Sequence, residues 1–125
     1  MTGASGQIGV FAIPRLVEAG FQVFAVSRKG RPGEFPAFEQ VKWVDEAESV
    51  EAARDCRYLL SAGPLHLAQK FLAGGGQIQS AVVFSSSSVE VKEYYGNPQE
   101  KAQMREMRAL ESRLILDARA RGLKL

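Results

Sequence analysis

A short glycine-rich segment at the start of the chain constrains the fold more than any other feature. Residues 2–9 read Thr-Gly-Ala-Ser-Gly-Gln-Ile-Gly, with glycine at every third position, and a helical pattern follows directly. Glycine lets a backbone approach a ligand closely, and the unpaired N–H groups of a helix N-terminus attract phosphate. The segment therefore predicts a pyrophosphate-binding loop formed by Gly3, Ser5, Gly6, Gln7, Ile8 and Gly9. The simpler alternative is a glycine-rich turn that only caps a helix.

Beyond this loop, helical and strand-like segments alternate. Apolar spacing and glycine or proline breaks predict helices over residues 7–19, 45–54, 65–72 and 98–121, and strands over residues 21–27, 40–44, 58–61 and 80–84. Asn97 and Pro98 have the residue types of an N-cap and a first helical position, with Glu100 placed to reach back. Strands and helices in this order predict an α/β fold with a Rossmann-like, doubly wound parallel sheet in a single domain of 125 residues.

Composition narrows the partners that we expect. The net charge is only +2 and the basic residues are spread along the chain, so nucleic acid is not an expected partner. Cys56 is the single cysteine, no apolar run approaches the ~20 residues of a membrane span, and the first residues do not resemble a signal peptide. We expect a cytoplasmic protein that binds a dinucleotide, with no membrane partner, and we assign no residue to a metal.

The glycine segment, with the form Thr-Gly-Ala-Ser-Gly-x-Ile-Gly, resembles the fingerprint of the short-chain dehydrogenase/reductase superfamily. The similarity is to its extended and atypical branches, which include nucleotide-sugar epimerases, and it covers nearly the whole chain. In dinucleotide-binding folds the end of the second strand meets the adenosine ribose, where an acid favours NAD and an arginine accommodates the 2′-phosphate of NADP. This chain has Ser27, Arg28 and Lys29 there and no acid, which predicts NADP(H) in preference to NAD. The alternative is that Arg28 and Lys29 belong to a solvated loop.

The resemblance also implies roles for residues after the later strands. Asp45 matches the acid near the adenine amine, and the turn Ala62, Gly63 and Pro64 matches a small-residue turn at the cofactor. In the serine run of residues 85–88, Ser87 takes the position that hydrogen-bonds the substrate oxygen, with Ser85 and Ser86 beside the cofactor. A polar turn that ends a buried strand explains the serines equally well. We expect His66, the sole histidine, to be a surface residue.

The family's acid–base pair is missing. No Tyr-x-x-x-Lys occurs in the chain, and the expected positions in the last helix hold Gln103 and Met107, neither of which transfers a proton at neutral pH. Tyr94 or Tyr95 could still act from the preceding loop, with Lys92 or Lys101 nearby. Three functions stay open: an NADP(H)-dependent epimerase, dehydratase or reductase acting on a nucleotide-sugar or carbonyl substrate, a non-catalytic dinucleotide sensor or scaffold, and a flavin or other nucleotide site.

Both ends of the sequence depart from the expected sheet. A Rossmann sheet normally begins with a central strand directly before the glycine loop, where this chain has only Met1 and Thr2. We therefore expect two separate strand pairs with unpaired inner edges, and a sheet truncated at its first strand and at its C-terminal substrate region, as in a fragment, a misassigned start codon or a decayed gene. Residues 123–125 look like the start of another strand.

The oligomeric state is open. One side of the last helix is expected to face the sheet, at Met104, Met107, Leu110, Leu114 and Ala118.

Overall fold

The computed structural model describes residues 1–74, 76–85 and 96–125 and shows a mixed α/β fold. The helices and strands are α1 (Gln7–Glu18), β1 (Val23–Val26), β2 (Val41–Val44), α2 (Glu46–Ala52), β3 (Tyr58–Ser61), α3 (Leu65–Ala73), β4 (Ser80–Val83) and α4 (Pro98–Ala120). A short 3-10 turn, Ala53–Asp55, continues α2. These elements match the type and order predicted from the sequence. None of the helices among the described residues combines the length and the apolar composition that a membrane span requires.

The four strands form two parallel pairs. β1 lies beside β2, from Val23 opposite Val41 to Val26 opposite Val44, and β3 lies beside β4 in the same manner. In the described part of the chain the strands do not join into one continuous four-stranded sheet. The α/β class and the pairing of neighbouring strands are thus confirmed, whereas a complete doubly wound sheet is not what these residues form.

Met1 and Thr2 lie between the two strand pairs and bond to both. The N–H of Val26 in β1 donates to the Met1 carbonyl at 2.9 Å, and the Thr2 N–H donates to the Leu60 carbonyl of β3 at 3.0 Å. The Ala62 N–H then donates to the Thr2 carbonyl at 3.1 Å, which gives a parallel bridge between Thr2 and Ser61. The expectation that both inner strand edges are left unpaired is therefore wrong at Met1 and Thr2. Met1 bonds to β1 through Val26, and Thr2 bonds to Leu60 and Ala62 on the side of β3.

One hydrophobic core lies where α3 and α4 pack together over β3 and β4. Its buried members are Leu59, Leu65, Ala68, Phe71, Leu72, Ala81 and Leu114. The predicted inner side of α4 is confirmed, since Met104, Leu114 and Ala118 are buried, and Met107 and Leu110 pack against this cluster. Burying a Leu or Phe side chain completely stabilises a fold by about 1.5–3 kcal/mol relative to leaving it exposed.

A second core lies under α1, on β1 and the long loop between β1 and β2. It consists of Ala4, Ile13, Val23, Ala25 and Phe35. Phe35 belongs to the loop, and its ring packs edge-to-face on Trp43 of β2 with ring centroids 5.8 Å apart. This contact holds the loop against the strand pair, so the loop has a fixed position next to the end of β1.

Both ends of α4 follow the sequence pattern. The Asn97 side chain accepts a hydrogen bond from the Glu100 N–H at 2.8 Å, and Glu100 Oε2 accepts one from the Asn97 N–H at 3.2 Å, which is the predicted capping box. After α4, the Ala81 N–H donates to the Lys124 carbonyl at 2.7 Å. The predicted strand start at residues 123–125 is therefore present as a single parallel bridge to Ser80.

Candidate functional site

The glycine loop packs backbone against backbone on the turn that follows β3. Gly3 has a φ of 65°, and a Cβ atom added to it would lie only 2.5 Å from the Ala62 carbonyl carbon. A Cβ atom added to Gly9 would lie 2.2 Å from the Ala4 carbonyl oxygen. Both distances are shorter than any tolerable contact, so these two positions need glycine for the loop to fold as it does.

The first turn of α1, which follows the same loop, has no side-chain cap. Gly6 is the N-cap and provides no side-chain oxygen, and no acidic residue lies in the first turn of the helix. The Gly6 N–H itself donates to the Gly3 carbonyl at 3.1 Å. Ser5, Gly6, Gln7 and Ile8 are all exposed. A helix start of this kind has N–H groups available for an anion.

Ser27 links the glycine loop to the end of β1. Its side chain is buried, its Oγ donates to Ser5 Oγ at 3.1 Å, and the same atom accepts a hydrogen bond from the Lys29 N–H at 3.3 Å. The Ser27 hydroxyl therefore connects the end of β1 to the glycine loop, although Ser5 and Ser27 are more than twenty positions apart in the sequence. This is the edge where the carboxyl ends of β1, β2 and β3 lie, which is where ligands bind in open α/β sheets.

Two cavities meet at this edge. The first, which we call the inner cavity, has a volume of about 270 Å³ and is lined by Gly3, Ser5, Val26, Ser27, Arg28, Glu46, Pro64, His66 and Leu67. Its lining combines backbone, aliphatic and polar surface, a combination typical of small-molecule sites.

The second cavity, which we call the basic cavity, has a volume of about 580 Å³. It is lined by Ser5, Ser27, Arg28, Lys29, Gly30, Arg31, Pro32 and Gly33. Three of these side chains are cations and none is an acid. Arg31 is held in place because its Nη1 donates to the Phe35 carbonyl at 2.5 Å, and Phe35 belongs to the second core. Ser5, Ser27 and Arg28 line both cavities, so Arg28 lies between them.

Several residues predicted for the site lie close to the cavities but face other partners. The Asp45 carboxylate accepts a hydrogen bond from the Glu48 N–H at 2.8 Å and so caps α2. The backbone of Ala62 and Gly63 packs against Gly3 of the glycine loop. Of this turn, only Pro64 lines the inner cavity. Gln7 and Ile8 line a separate apolar depression on α1 with Phe11, Ala12 and Arg15.

The serine run and the expected acid–base positions lie away from these cavities or outside the described residues. Ser85 is exposed, and its hydroxyl donates to Glu111 Oε1 on α4. Ser86 and the predicted catalytic Ser87 are not among the described residues, and neither are Tyr94 and Tyr95. On α4, Gln103 is exposed and Met107 packs against the first core.

The structure adds residues that sequence reasoning missed. Glu46 and Leu67 line the inner cavity, and Glu46 Oε1 also pairs with Lys70 Nζ at 3.1 Å. His66, which was expected to be a surface residue, is exposed and lines the same cavity. Arg31 was a detectable omission, because a third cation three residues after Arg28, in a loop broken by Gly30, Pro32 and Gly33, lies within reach of the same anion. Glu46 and Leu67 gave no such signal, since their position depends on how α2 and α3 start beside the glycine loop.

No group of three or more His, Cys, Asp or Glu side chains that could hold a metal ion occurs within the described ranges. Comparison of the chain with protein-family models, with curated proteins and with solved structures gave no match.

Proposed function

We propose that this chain binds a dinucleotide at the edge formed by the glycine loop and the ends of β1, β2 and β3, with NADP(H) preferred over NAD(H). The two parallel strand pairs, with Met1 and Thr2 between them, correspond in this proposal to a Rossmann-like sheet in the order β2, β1, Met1–Thr2, β3, β4. The short-chain dehydrogenase/reductase resemblance of residues 2–9 supports the same assignment.

This proposal depends on one observation, which is that the inner cavity and the basic cavity meet at Arg28. A ribose at Ser5 and Ser27 would place its base in the inner cavity and a 2′-phosphate in the basic cavity. Arg28, Lys29 and Arg31 all line the basic cavity, and the absence of any acid among its lining residues favours a dianion there. Arginine binds phosphate through paired, charge-assisted hydrogen bonds, and each such contact contributes roughly 1.5–3 kcal/mol.

The glycine loop fits the pyrophosphate of the same ligand. Gly6 leaves the start of α1 without a side-chain cap, and the packing of Gly3 and Gly9 keeps the loop close to the backbone after β3. The N–H groups at the start of α1 would bind the pyrophosphate, and a Cβ at Gly6 would occupy the space through which it approaches. The bound cofactor would supply hydride chemistry; the role of these residues is to bind and orient it.

The test is calorimetric titration of the purified chain with NADPH and with NADH. Arg28→Ala is expected to weaken NADPH binding by about 10-fold to 100-fold, equivalent to one lost charge-assisted contact, while NADH binding changes little. Gly6→Asp is expected to abolish binding of both cofactors, since it places a carboxylate at the pyrophosphate. The matched control is Arg105→Ala, which removes an exposed arginine from α4 and should leave both affinities unchanged.

Each alternative gives a different result. Equal affinity for NADPH and NADH in the wild type, unaffected by Arg28→Ala, would leave the basic cavity without a role in phosphate selection. Tighter binding of FAD than of either nicotinamide nucleotide, lost in Gly6→Asp, would identify a flavin site. No binding by a chain with a folded circular dichroism spectrum would overturn the proposal.

For chemistry beyond binding, we favour a non-catalytic dinucleotide-binding module for this chain over an epimerase, dehydratase or reductase acting on a nucleotide-sugar or carbonyl substrate. The specific observation is that the position expected for the family's lysine, Met107, packs into the first core, and the position expected for its tyrosine holds exposed Gln103. Neither side chain can hold or move a proton at neutral pH. The test is oxidation of NADPH in the presence of a panel of aldehydes, ketones and nucleotide sugars. Turnover that is lost in Ser87→Ala would favour the enzyme instead.

A further inference from the structure

Arg31 differs from the other two cations of the basic cavity because the protein holds its side chain in place. Its Nη1 donates to the Phe35 carbonyl at 2.5 Å. The side chains of Arg28 and Lys29 make no hydrogen bond or ion pair to other described residues. All three cations are exposed and line the same cavity. Arg31 therefore reaches the cavity from a fixed point, and the other two side chains have no such anchor.

Phe35, which provides that carbonyl, is itself fixed by two aromatic contacts. Its ring packs edge-to-face on Trp43 of β2 and on Phe38, with ring centroids 5.8 Å and 6.0 Å apart. The Phe35 N–H donates to the Pro32 carbonyl at 3.0 Å and closes a turn after Arg31. We call Phe35, Phe38 and Trp43 the aromatic cluster. None of these three described residues lines the inner or the basic cavity.

We propose that Arg31 is a second residue that selects the 2′-phosphate of NADP(H), and that the aromatic cluster positions it through the Phe35 carbonyl. This inference rests on the proposed function, because it takes the 2′-phosphate to occupy the basic cavity. It adds that part of the selectivity depends on Trp43, a residue outside both cavities. The ligand class is an adenosine nucleotide with a phosphate monoester on its ribose.

Two physical reasons favour Arg31 for this role. A side chain that is already held loses less conformational freedom when a ligand binds than one that turns in solvent. A guanidinium also has several N–H donors in one plane, so the donors not used on Phe35 stay available to a phosphate. Arg31 can therefore bond to the protein and to the ligand at the same time.

The first test is calorimetric titration of Arg31 variants with NADPH and NADH. Arg31→Ala is expected to weaken NADPH binding by about 10-fold and to leave NADH binding unchanged. Arg31→Lys keeps the charge but lacks the planar fork, so it should restore only part of the NADPH affinity. Arg105→Ala, which removes an exposed arginine from α4, is the control and should change neither affinity.

The second test concerns the aromatic cluster. Trp43→Leu removes the ring contact with Phe35 and should weaken NADPH binding by roughly 3-fold to 10-fold, the cost of ordering one side chain, with NADH binding unchanged. Trp43→Phe keeps an aromatic ring and should keep the selectivity. Tyr58→Leu is the matched control, because it removes an edge-to-face contact with Phe21 that has the same centroid distance of 5.8 Å. This control should lower stability without changing the ratio of the two affinities.

A double-variant cycle tests whether Trp43 acts through Arg31. Once Arg31→Ala has removed the guanidinium, no side chain remains for the cluster to position, so adding Trp43→Leu should not change the NADPH to NADH ratio further. An additional loss of the same size as in the wild-type background would overturn the positioning role. An equal loss of NADPH and NADH binding in Trp43→Leu alone would also overturn it.

The remaining outcomes separate this inference from the proposed function. Unchanged NADPH binding in Arg31→Ala, with the expected loss in Arg28→Ala, would overturn the inference and leave the proposed function standing. No binding of either cofactor by the folded wild-type chain would overturn both. If Trp43→Leu does not fold, Phe38→Leu removes the other ring contact of Phe35 and should give the same selective loss. Unchanged selectivity in that variant would then overturn the positioning role.

Discussion

Thr2 Oγ1 and Ser61 Oγ lie 2.7 Å apart and form a buried hydrogen bond between the start of the chain and the end of β3. Both side chains are almost fully buried, with 1% and 0% of their surface exposed. Their backbones are joined by a parallel bridge as well. The hydroxyl pair thus holds the glycine loop, which begins at the next residue, at a fixed distance from the turn after β3.

This pair predicts a non-additive effect on stability. Ser61→Ala leaves the Thr2 hydroxyl buried without a partner and should lower the free energy of unfolding by about 1–3 kcal/mol, measured by urea denaturation. Adding Thr2→Val removes the orphaned hydroxyl, so the double variant should be less destabilised than the sum of the two single variants. Ser112→Ala, on the exposed side of α4, is the control and should change little. A loss in Ser61→Ala no larger than in the control would contradict this role of the pair.

The close packing of the glycine loop predicts a larger loss. Gly9→Ala puts a methyl group 2.2 Å from the Ala4 carbonyl oxygen, and both groups belong to backbone that cannot move independently. The expected loss of unfolding free energy is about 3 kcal/mol or more, and a chain of modest stability would not fold. Gly33→Ala is the matched control, since its added Cβ meets nothing within 4 Å. Equal melting temperatures of the two variants would show that the loop is not packed as described.

How far the sequence predicts the structure depends on the range of the interactions involved. The ends of α4 were predictable because the capping residues Asn97 and Glu100 lie three positions apart and bond to each other. The strand pairs were predictable because buried parallel strands have apolar, β-branched sequences. The bonds of Met1 and Thr2 were not, since two residues carry no periodicity and their partners, Val26 and Leu60, are distant in the chain.

The candidate site divides in the same way. Ser27 and Arg28 could be located from the sequence because they stand at the end of a predicted strand. Both residues line the cavities. The Asp45 prediction used position alone, and the structure shows this carboxylate capping its own helix while Glu46, one residue later, lines the inner cavity. A shift of one residue at a helix start changes which side chain faces a site, and sequence patterns locate such boundaries only to within a few residues.

The capping box of α4 gives a prediction about local stability. Asn97→Ala removes the oxygen that accepts the Glu100 N–H, and should lower the unfolding free energy by about 1 kcal/mol. Gln103→Ala, exposed in the middle of the same helix, is the control and should be neutral or slightly stabilising, because alanine favours helix. Urea denaturation followed by circular dichroism measures both changes. If the two variants have the same stability, the cap contributes nothing to the folded chain.

The Met1 amine predicts a pH dependence of stability. Burial lowers its pKa from 8.0 to about 6, against a smaller opposing effect of the Cys56 thiol. In a chain with a free amine at Met1, the unfolded state therefore binds more protons than the folded state between pH 6 and pH 8. Stability must rise with pH across this window, by about 2–3 kcal/mol if the shift is fully expressed. Burial raises the pKa of the Cys56 thiol, so this group stays protonated over the same range in the folded chain.

Urea denaturation at pH 6, 7 and 8 measures this effect, and acetylation of the Met1 amine provides the comparison. The acetylated chain keeps an N–H that can donate to the Phe24 carbonyl but has no group there to titrate, so the part of the pH dependence due to the amine should disappear. All other groups are the same in the two samples, so their contributions cancel in the comparison. If the pH dependence is identical with and without the acetyl group, the amine is solvated. Met1 then does not lie between β1 and β3, and the glycine loop that follows it is not positioned by these bonds.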